Sequence, residues 1–109
     1  MMVLYGLATC DTCRKALAAL KSAGHEVRLH DVRSEPLLPA QIAGFLACFG
    51  DRLVNRASTT WRGLSDSDRK ADPATLLATH PAVMKRPVID AGGRLHLGFG
   101  PEVRAALLK

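Results

Sequence analysis

Residues 2–15 read Met-Val-Leu-Tyr-Gly-Leu-Ala-Thr-Cys-Asp-Thr-Cys-Arg-Lys. The stretch opens with an apolar run, Met2 to Gly6, rich in strand formers and stopped by glycine. It predicts a buried strand at the start of the chain. Leu7 to Cys10 then reads as a loop. From Asp11 to Ala23, Ala16, Leu17, Ala19, Leu20 and Ala23 recur at helical spacing, and Gly24 provides the stop. Glu26 to Asp31 alternates apolar and polar residues and predicts a second strand. A strand, a helix and a strand in this order make a βαβ unit with parallel strands and a right-handed crossover.

Downstream, Ser34-Glu35-Pro36 punctuates the chain. Pro39 to Phe49 carries Ile42, Phe45, Leu46 and Phe49 at helical intervals, and Gly50 closes it. Asn55 to Leu64 shows no period and predicts a loop. Ser65–Lys70 and Pro73–Thr79 read as two short helices, with Ser65 and Asp72 as N-caps. Pro87 to Asp90 predicts a strand, Ala91-Gly92-Gly93 a turn, and Arg94 to Gly98 its hairpin partner. Pro101 to Leu108 closes as a helix with proline in its first turn. The fold class is therefore α/β. A βαβ half and a ββα half share a four-stranded mixed sheet of thioredoxin-like, glutaredoxin-type arrangement. A helical insertion, about residues 36–82, separates the halves, and the expected organisation is one domain over residues 1–109.

Composition limits the function. The chain has 109 residues, 48% of them hydrophobic and 23% charged, as an ordinary globular domain requires. No apolar run approaches the 18 residues a membrane span needs. No basic leader precedes an apolar segment, so a cytoplasmic location is expected. Lys and Arg number 15 against 10 acidic residues, a net charge of +5. The basic residues are dispersed and aromatics make up only 5%, which argues against nucleic acid as a partner. Three cysteines, an odd count, argue for free thiols rather than a disulfide framework.

The chemistry concentrates at Thr9-Cys10-Asp11-Thr12-Cys13-Arg14-Lys15. Cys10 stands between a strand and a helix, where unpaired N–H groups stabilise a thiolate. Arg14 and Lys15 add cationic charge, while Asp11 opposes it. Cys13, three residues on, is on the same helical face, so a Cys10–Cys13 disulfide is geometrically open. A zinc site would need a second close ligand pair, and neither Cys48 nor His25, His30, His80 and His96 supplies one; no metal is expected. Each histidine has the character of a surface or locally satisfied group. Cys48 falls in an apolar helix and is expected in the core. Arg62 follows the only tryptophan, and Arg86 precedes Pro87; guanidinium groups near a cysteine would clamp an anionic group. A proline opening a strand is ordinarily trans, whereas the thioredoxin-like reading makes Pro87 cis and places it beside the nucleophile.

These segments together resemble the arsenate reductase (ArsC)/Spx superfamily, and within it the Spx/YffB-like branch. The resemblance runs in order through Val3-Leu4-Tyr5-Gly6, Thr9-Cys10-Asp11-Thr12, His30-Asp31-Val32-Arg33 with Ser34-Glu35-Pro36-Leu37, Asn55-Arg56, and Thr59-Thr60-Trp61-Arg62-Gly63-Leu64. It continues through His80-Pro81, Lys85-Arg86-Pro87-Val88-Ile89 and Leu97-Gly98-Phe99. It implies Cys10 as the nucleophile, with Arg62 and Arg86 as the anion-holding catalytic arginines. Thr9, Thr12, Arg14 and Pro87 would line the substrate, and Cys13 is the candidate resolving thiol. Arsenate reductases proper carry a third arginine after the last strand. Gly98-Phe99-Gly100 has none, which agrees with the YffB-like branch of glutathione-dependent thiol reductases. The implied activity is a thiol-dependent oxidoreductase acting on a small anionic or disulfide substrate. No bound cofactor is expected, glutathione is the reductant or co-substrate, glutaredoxin is a candidate partner, and the chain is expected to be a monomer. The alternative is an Spx-like regulator that binds the RNA polymerase α subunit under control of a Cys10–Cys13 disulfide.

Overall fold

The computed structural model describes residues 1–108. In chain order the elements are β1 (Met2–Gly6), α1 (Asp11–Ser22), β2 (Val27–Asp31), α2 (Pro39–Phe49) and α3 (Thr59–Arg62), followed by α4 (Asp66–Arg69) and α5 (Pro73–Thr79). Strands β3 (Val88–Ala91) and β4 (Arg94–Leu97) and helix α6 (Pro101–Leu107) complete the order. Single 3₁₀ turns lie at Gly50–Leu53 and Pro81–Val83. The chain forms two compact units. One comprises Met1–Val32 and the segment from Arg86 onward; the other is Arg33–Lys85.

The first unit is built on a four-stranded sheet of order β2-β1-β3-β4. β1 runs parallel to β2, as a βαβ connection demands, with Tyr5 opposite His30 and Gly6 opposite Asp31. β1 and β3 are antiparallel, as are β3 and β4. This is the mixed thioredoxin-like sheet that the element order implies. The β3–β4 turn places Gly92 at φ 63° and Gly93 at φ 96°. Both central residues thus adopt the left-handed region that a two-residue hairpin turn requires and that glycine enters at little cost. The Gly93 N–H also donates to Asp90 Oδ1 at 2.8 Å. The core of this unit joins Leu4 and Ile89 from the sheet to Cys13, Ala16 and Leu20 of α1 and Leu107 of α6. Cys13, Ala16 and Leu20 recur every three to four residues, so one face of α1 enters the core while Lys15 and Lys21 stay in solvent.

The second unit is helical. Its buried side chains include Ile42 and Phe45 of α2, Leu76 and Leu77 of α5, and Leu53, Val54, Val83 and Met84. An isolated antiparallel bridge joins Val54 to Met84. The Asn55 N–H donates to the Val83 carbonyl and the Lys85 N–H to the Leu53 carbonyl, each at 2.7 Å. Ser65 and Asp72 cap α4 and α5, accepting from the N–H groups of Asp68 and Thr75.

Two sequence expectations need correction here. The segment 55–64 is not all loop, because Thr59–Arg62 forms one helical turn. Four residues are too few to display a hydrophobic period, and only the Ser58 cap and the following Gly63 mark the turn. Cys48 is exposed rather than part of the core. At 100° per residue, Ile42, Phe45, Leu46 and Phe49 share one stripe of α2, whereas Cys48 falls roughly 110° from its centre. Apolar composition made the whole helix look buried, but only the stripe is.

Candidate active site

The site begins where β1 ends. After Gly6 the chain turns through Leu7–Cys10, closed by the Cys10 N–H donating to the Leu7 carbonyl at 3.0 Å. A second tie comes from the neighbouring strand: the Ala8 N–H donates to Asp31 Oδ2 at 2.9 Å. Cys10 takes the N-cap position of α1 with extended backbone (φ −83°, ψ 123°). Its carbonyl accepts the first helical bond, from the Arg14 N–H, at 3.0 Å. The N–H groups of the following residues have no carbonyl partner within the helix, so the Cys10 sulfur faces the positive end of α1.

Two effects compete at that sulfur. Burial pushes the Cys10 thiol up; the backbone N–H and thiol of Cys13 and the guanidinium of Arg86 all favour the thiolate. The second group prevails, and the Cys10 pKa lies below the ordinary thiol value. Arg86 reaches Cys10 both as a hydrogen-bond donor and as a charge. The Arg86–Pro87 peptide is cis, as the thioredoxin-like reading implies, and Pro87 is fully buried. The Pro87 carbonyl accepts from the Gly98 N–H at 2.7 Å, which fixes the segment against the end of β4.

Cys13 has the opposite character. It is 1% exposed, and burial first of all, together with the neighbouring Cys10, pushes its thiol up to about 11. Its sulfur packs against the Cα of Gly6. A Cβ on Gly6 would collide with Cys13 Sγ and crowd Cys13 Cβ and Leu4 at 3.3 Å. Gly6 thus makes room for the second thiol, besides ending the strand. Nothing in the sequence alone signals that contact, since Gly6 has the appearance of an ordinary strand stop.

The other predicted residues take varied positions. Thr9 and Thr12 are exposed, one in the turn and the other in the first turn of α1. Arg14 pairs with Asp11 at 2.8 Å on the same exposed turn. Asp11 is held below the usual carboxylate range by Arg14 and Lys15. The opposing charges that the sequence sets around Cys10 therefore answer one another, and Arg86 is the cation at the thiol. Arg62 belongs to the second unit, at the end of α3. Its Nη2 donates to the Ala57 carbonyl at 3.0 Å. Arg69 donates to the carbonyls of Trp61 and Arg62 at 3.2 and 2.7 Å, and Arg56 lies over the Trp61 ring at 5.2 Å. Arg69 and Arg56 support the arginine segment; Arg56 falls in a segment of the family resemblance, whereas no sequence signal points to Arg69.

Three of the four histidines have local partners. The His25 ring lies 2.8 Å from the Leu107 carbonyl, the His30 ring lies tilted against Tyr5 with centroids 4.9 Å apart, and His80 faces Asp68 at 3.6 Å. Among the described residues, no group of three His, Cys, Asp or Glu side chains could hold a metal ion. No helix among them is long and apolar enough to cross a membrane.

A thiol at the strand–helix junction of a thioredoxin-like sheet, faced by an arginine and a cis-proline, defines a class of thiol-bearing proteins. Within that class the chain belongs to the ArsC family, whose sequence model matches residues 5–107. The solved structure of a YFFB protein is 34% identical, covers 100% of both chains and superposes with a TM-score of 0.89. An arsenate reductase (ArsC) related protein from Brucella melitensis is also 34% identical, covering 99% of this chain and 94% of its own, with a TM-score of 0.75. The global transcriptional regulator Spx of Bacillus subtilis (strain 168) is 29% identical over 94% of this chain and 82% of its own length.

Proposed function

We propose that this protein is a thiol-dependent oxidoreductase with Cys10 as its nucleophile. The observation that carries the reading is Cys10 at the N-cap of α1 with the Arg86 guanidinium reaching its sulfur, which lowers its pKa. The thiolate is the reactive form of cysteine, and a guanidinium beside it can hold an anionic group of the incoming molecule. Membership of the ArsC family and similarity to an arsenate reductase related protein support the same reading.

With a disulfide substrate the steps balance as follows. The Cys10 thiolate attacks one sulfur, forming a Cys10 mixed disulfide and expelling the other sulfur as a thiolate. Cys13 then loses its proton to the departing thiolate or to solvent and attacks Cys10. A Cys10–Cys13 disulfide forms and the second substrate thiolate leaves. Two glutathione thiols restore the two protein thiols and become glutathione disulfide. When Cys13 stays in its buried, protonated state, one glutathione thiolate attacks the substrate sulfur of the mixed disulfide, releasing the Cys10 thiolate and a glutathione–substrate disulfide, and Cys10 alone turns over. The high Cys13 pKa favours this second route at neutral pH. We assign Arg62 as a second cation for the anionic group and Thr9, Thr12, Arg14 and Pro87 as substrate contacts, on the family resemblance of the segments that carry them.

The test uses the intact chain with Cys48→Ser, so that the exposed third thiol does not report. Incubation with glutathione disulfide, followed by intact-mass and peptide analysis, should place a glutathione adduct on Cys10, while separate incubations with arsenate and with a mild oxidant show whether any other adduct or only a Cys10–Cys13 disulfide forms. Glutathione-coupled turnover should vanish in Cys10→Ser. Undiminished turnover in that variant would overturn the reading. A second reading, a redox-switched regulator, is favoured by the C-x-x-C pair and by the similarity to Spx. Retention of the RNA polymerase α subunit that depends on Cys10–Cys13 oxidation, without turnover, would select it.

A further inference from the structure

The turn that presents Cys10 carries a tie that the proposed chemistry does not use. Asp31 is the last residue of β2 and stands opposite Gly6, the last residue of β1. The chain leaves β2 with the Val32 N–H donating to the Gly6 carbonyl at 2.9 Å. One residue earlier, Asp31 Oδ2 accepts the Ala8 N–H at 2.9 Å across 23 residues of sequence. The preceding residue, His30, packs its ring on Tyr5, the residue before Gly6. Three consecutive residues, His30, Asp31 and Val32, thus hold the end of β1 and the turn that follows it. Ala8 is exposed in the middle of the Leu7–Cys10 turn. A carboxylate accepting a backbone N–H makes a charge-assisted bond, stronger than a neutral one.

We propose that Asp31 is a positioning residue for Cys10: its carboxylate holds the Ala8 N–H and so fixes the turn that sets the sulfur against α1 and Arg86. In this role Asp31 acts through the backbone of the turn rather than on the thiol or the substrate. The inference rests on the reading of Cys10 as the reactive thiol. Its effect is geometric. The N–H of Cys13 and the guanidinium of Arg86 favour the thiolate only at short range, so a turn that wanders loses their help.

The test follows alkylation of Cys10 by iodoacetamide against pH, in the full chain with Cys48→Ser, comparing Asp31→Ala and Asp31→Asn. Asp31→Ala should move the midpoint of Cys10 reaction upward, and its rate at pH 7 should fall by about threefold to tenfold. Asp31→Asn keeps an acceptor oxygen and should restore most of the rate. A structural role alone would lower stability in both variants without moving the midpoint. An unmoved midpoint in a folded Asp31→Ala protein overturns the proposal. So does an equal downward shift in both variants, which would reveal only a carboxylate repelling the thiolate. If Asp31→Ala does not fold, amide exchange in the parent decides: the Ala8 N–H should be protected, and fast exchange there overturns the proposal. The two readings fail separately. Turnover that survives Cys10→Ser removes the nucleophile reading, while a shifted Cys10 midpoint in Asp31→Ala still upholds the positioning role.

Discussion

Two helix starts in this molecule use the same position in different ways. At α1 the N-cap is Cys10; at α3 it is Ser58. Ser58 spends its side chain on the helix, with Oγ accepting the Trp61 N–H at 3.1 Å while it donates to the Asn55 carbonyl at 2.7 Å. Cys10 leaves its sulfur facing the orphan N–H groups and Arg86, where the helix start stabilises a thiolate. The hydroxyl makes a better cap and the thiol makes better chemistry. A cap position can therefore serve the fold or the reaction, and each choice costs something on the other side.

That contrast predicts its own exceptions. The largest effect is expected from Cys10→Ser. It should cut thiol-dependent turnover by about 10³-fold or more, in line with the loss of other enzyme nucleophiles. The same change should leave the protein as stable as before or raise stability by about 0.5–1 kcal/mol, since serine caps a helix well. Urea unfolding beside the activity assay reads both at once, and a clear loss of stability would break the comparison. Next comes Arg86→Gln, which removes one of the groups that lower the Cys10 pKa. In the parent the midpoint of Cys10 alkylation should lie below 9.0, while Cys13 stays silent until about pH 11. In the variant the Cys10 midpoint should rise, and each unit of rise means about a tenfold loss of rate at neutral pH. A midpoint that does not move would assign the thiolate to the helix start alone.

Smaller effects test the surroundings. Gly6→Ala places a methyl group against the Cys13 sulfur, and overpacking of this kind costs about 1–3 kcal/mol. Adding Cys13→Ala should recover much of that loss; an unchanged loss would show that the sulfur is not the obstacle. Ser58→Ala should cost about 1 kcal/mol, the usual value for a lost N-cap. Its unfolding midpoint, set beside that of Cys10→Ser, shows whether the two helix starts respond in opposite directions.

The pH dependence of stability follows from the second thiol. The folded protein keeps the Cys13 proton up to about pH 11, whereas an unfolded thiol releases it near the ordinary value of 9.0. Above pH 9 the unfolded chain therefore binds fewer protons than the folded one, and stability falls as pH rises through that window. Cys13→Ala should remove this component from an unfolding series at high pH.

The sequence by itself determined the elements that carry a long enough period or a clear stop. The strand at Met2–Gly6, the helix from Asp11, the Gly92-Gly93 hairpin and the strand–thiol–helix junction are all local, and each was legible in neighbouring residues. The thiolate-favouring place of Cys10 follows from that junction. Helix α3 escaped because one turn has no period to read. The tertiary structure alone decided what surrounds each sulfur. Arg86 lies far from Cys10 in sequence, and only the pairing of β3 with β1 brings it to the thiol. Gly6 accommodates Cys13 because α1 folds back on β1, and Asp31 reaches Ala8 because β2 lies beside β1. Cys48 stands in solvent because its place on α2 falls outside the buried stripe. Periodicity reports which face of an element is apolar; which side chains meet across elements depends on register and packing, and these exist only once the sheet has formed.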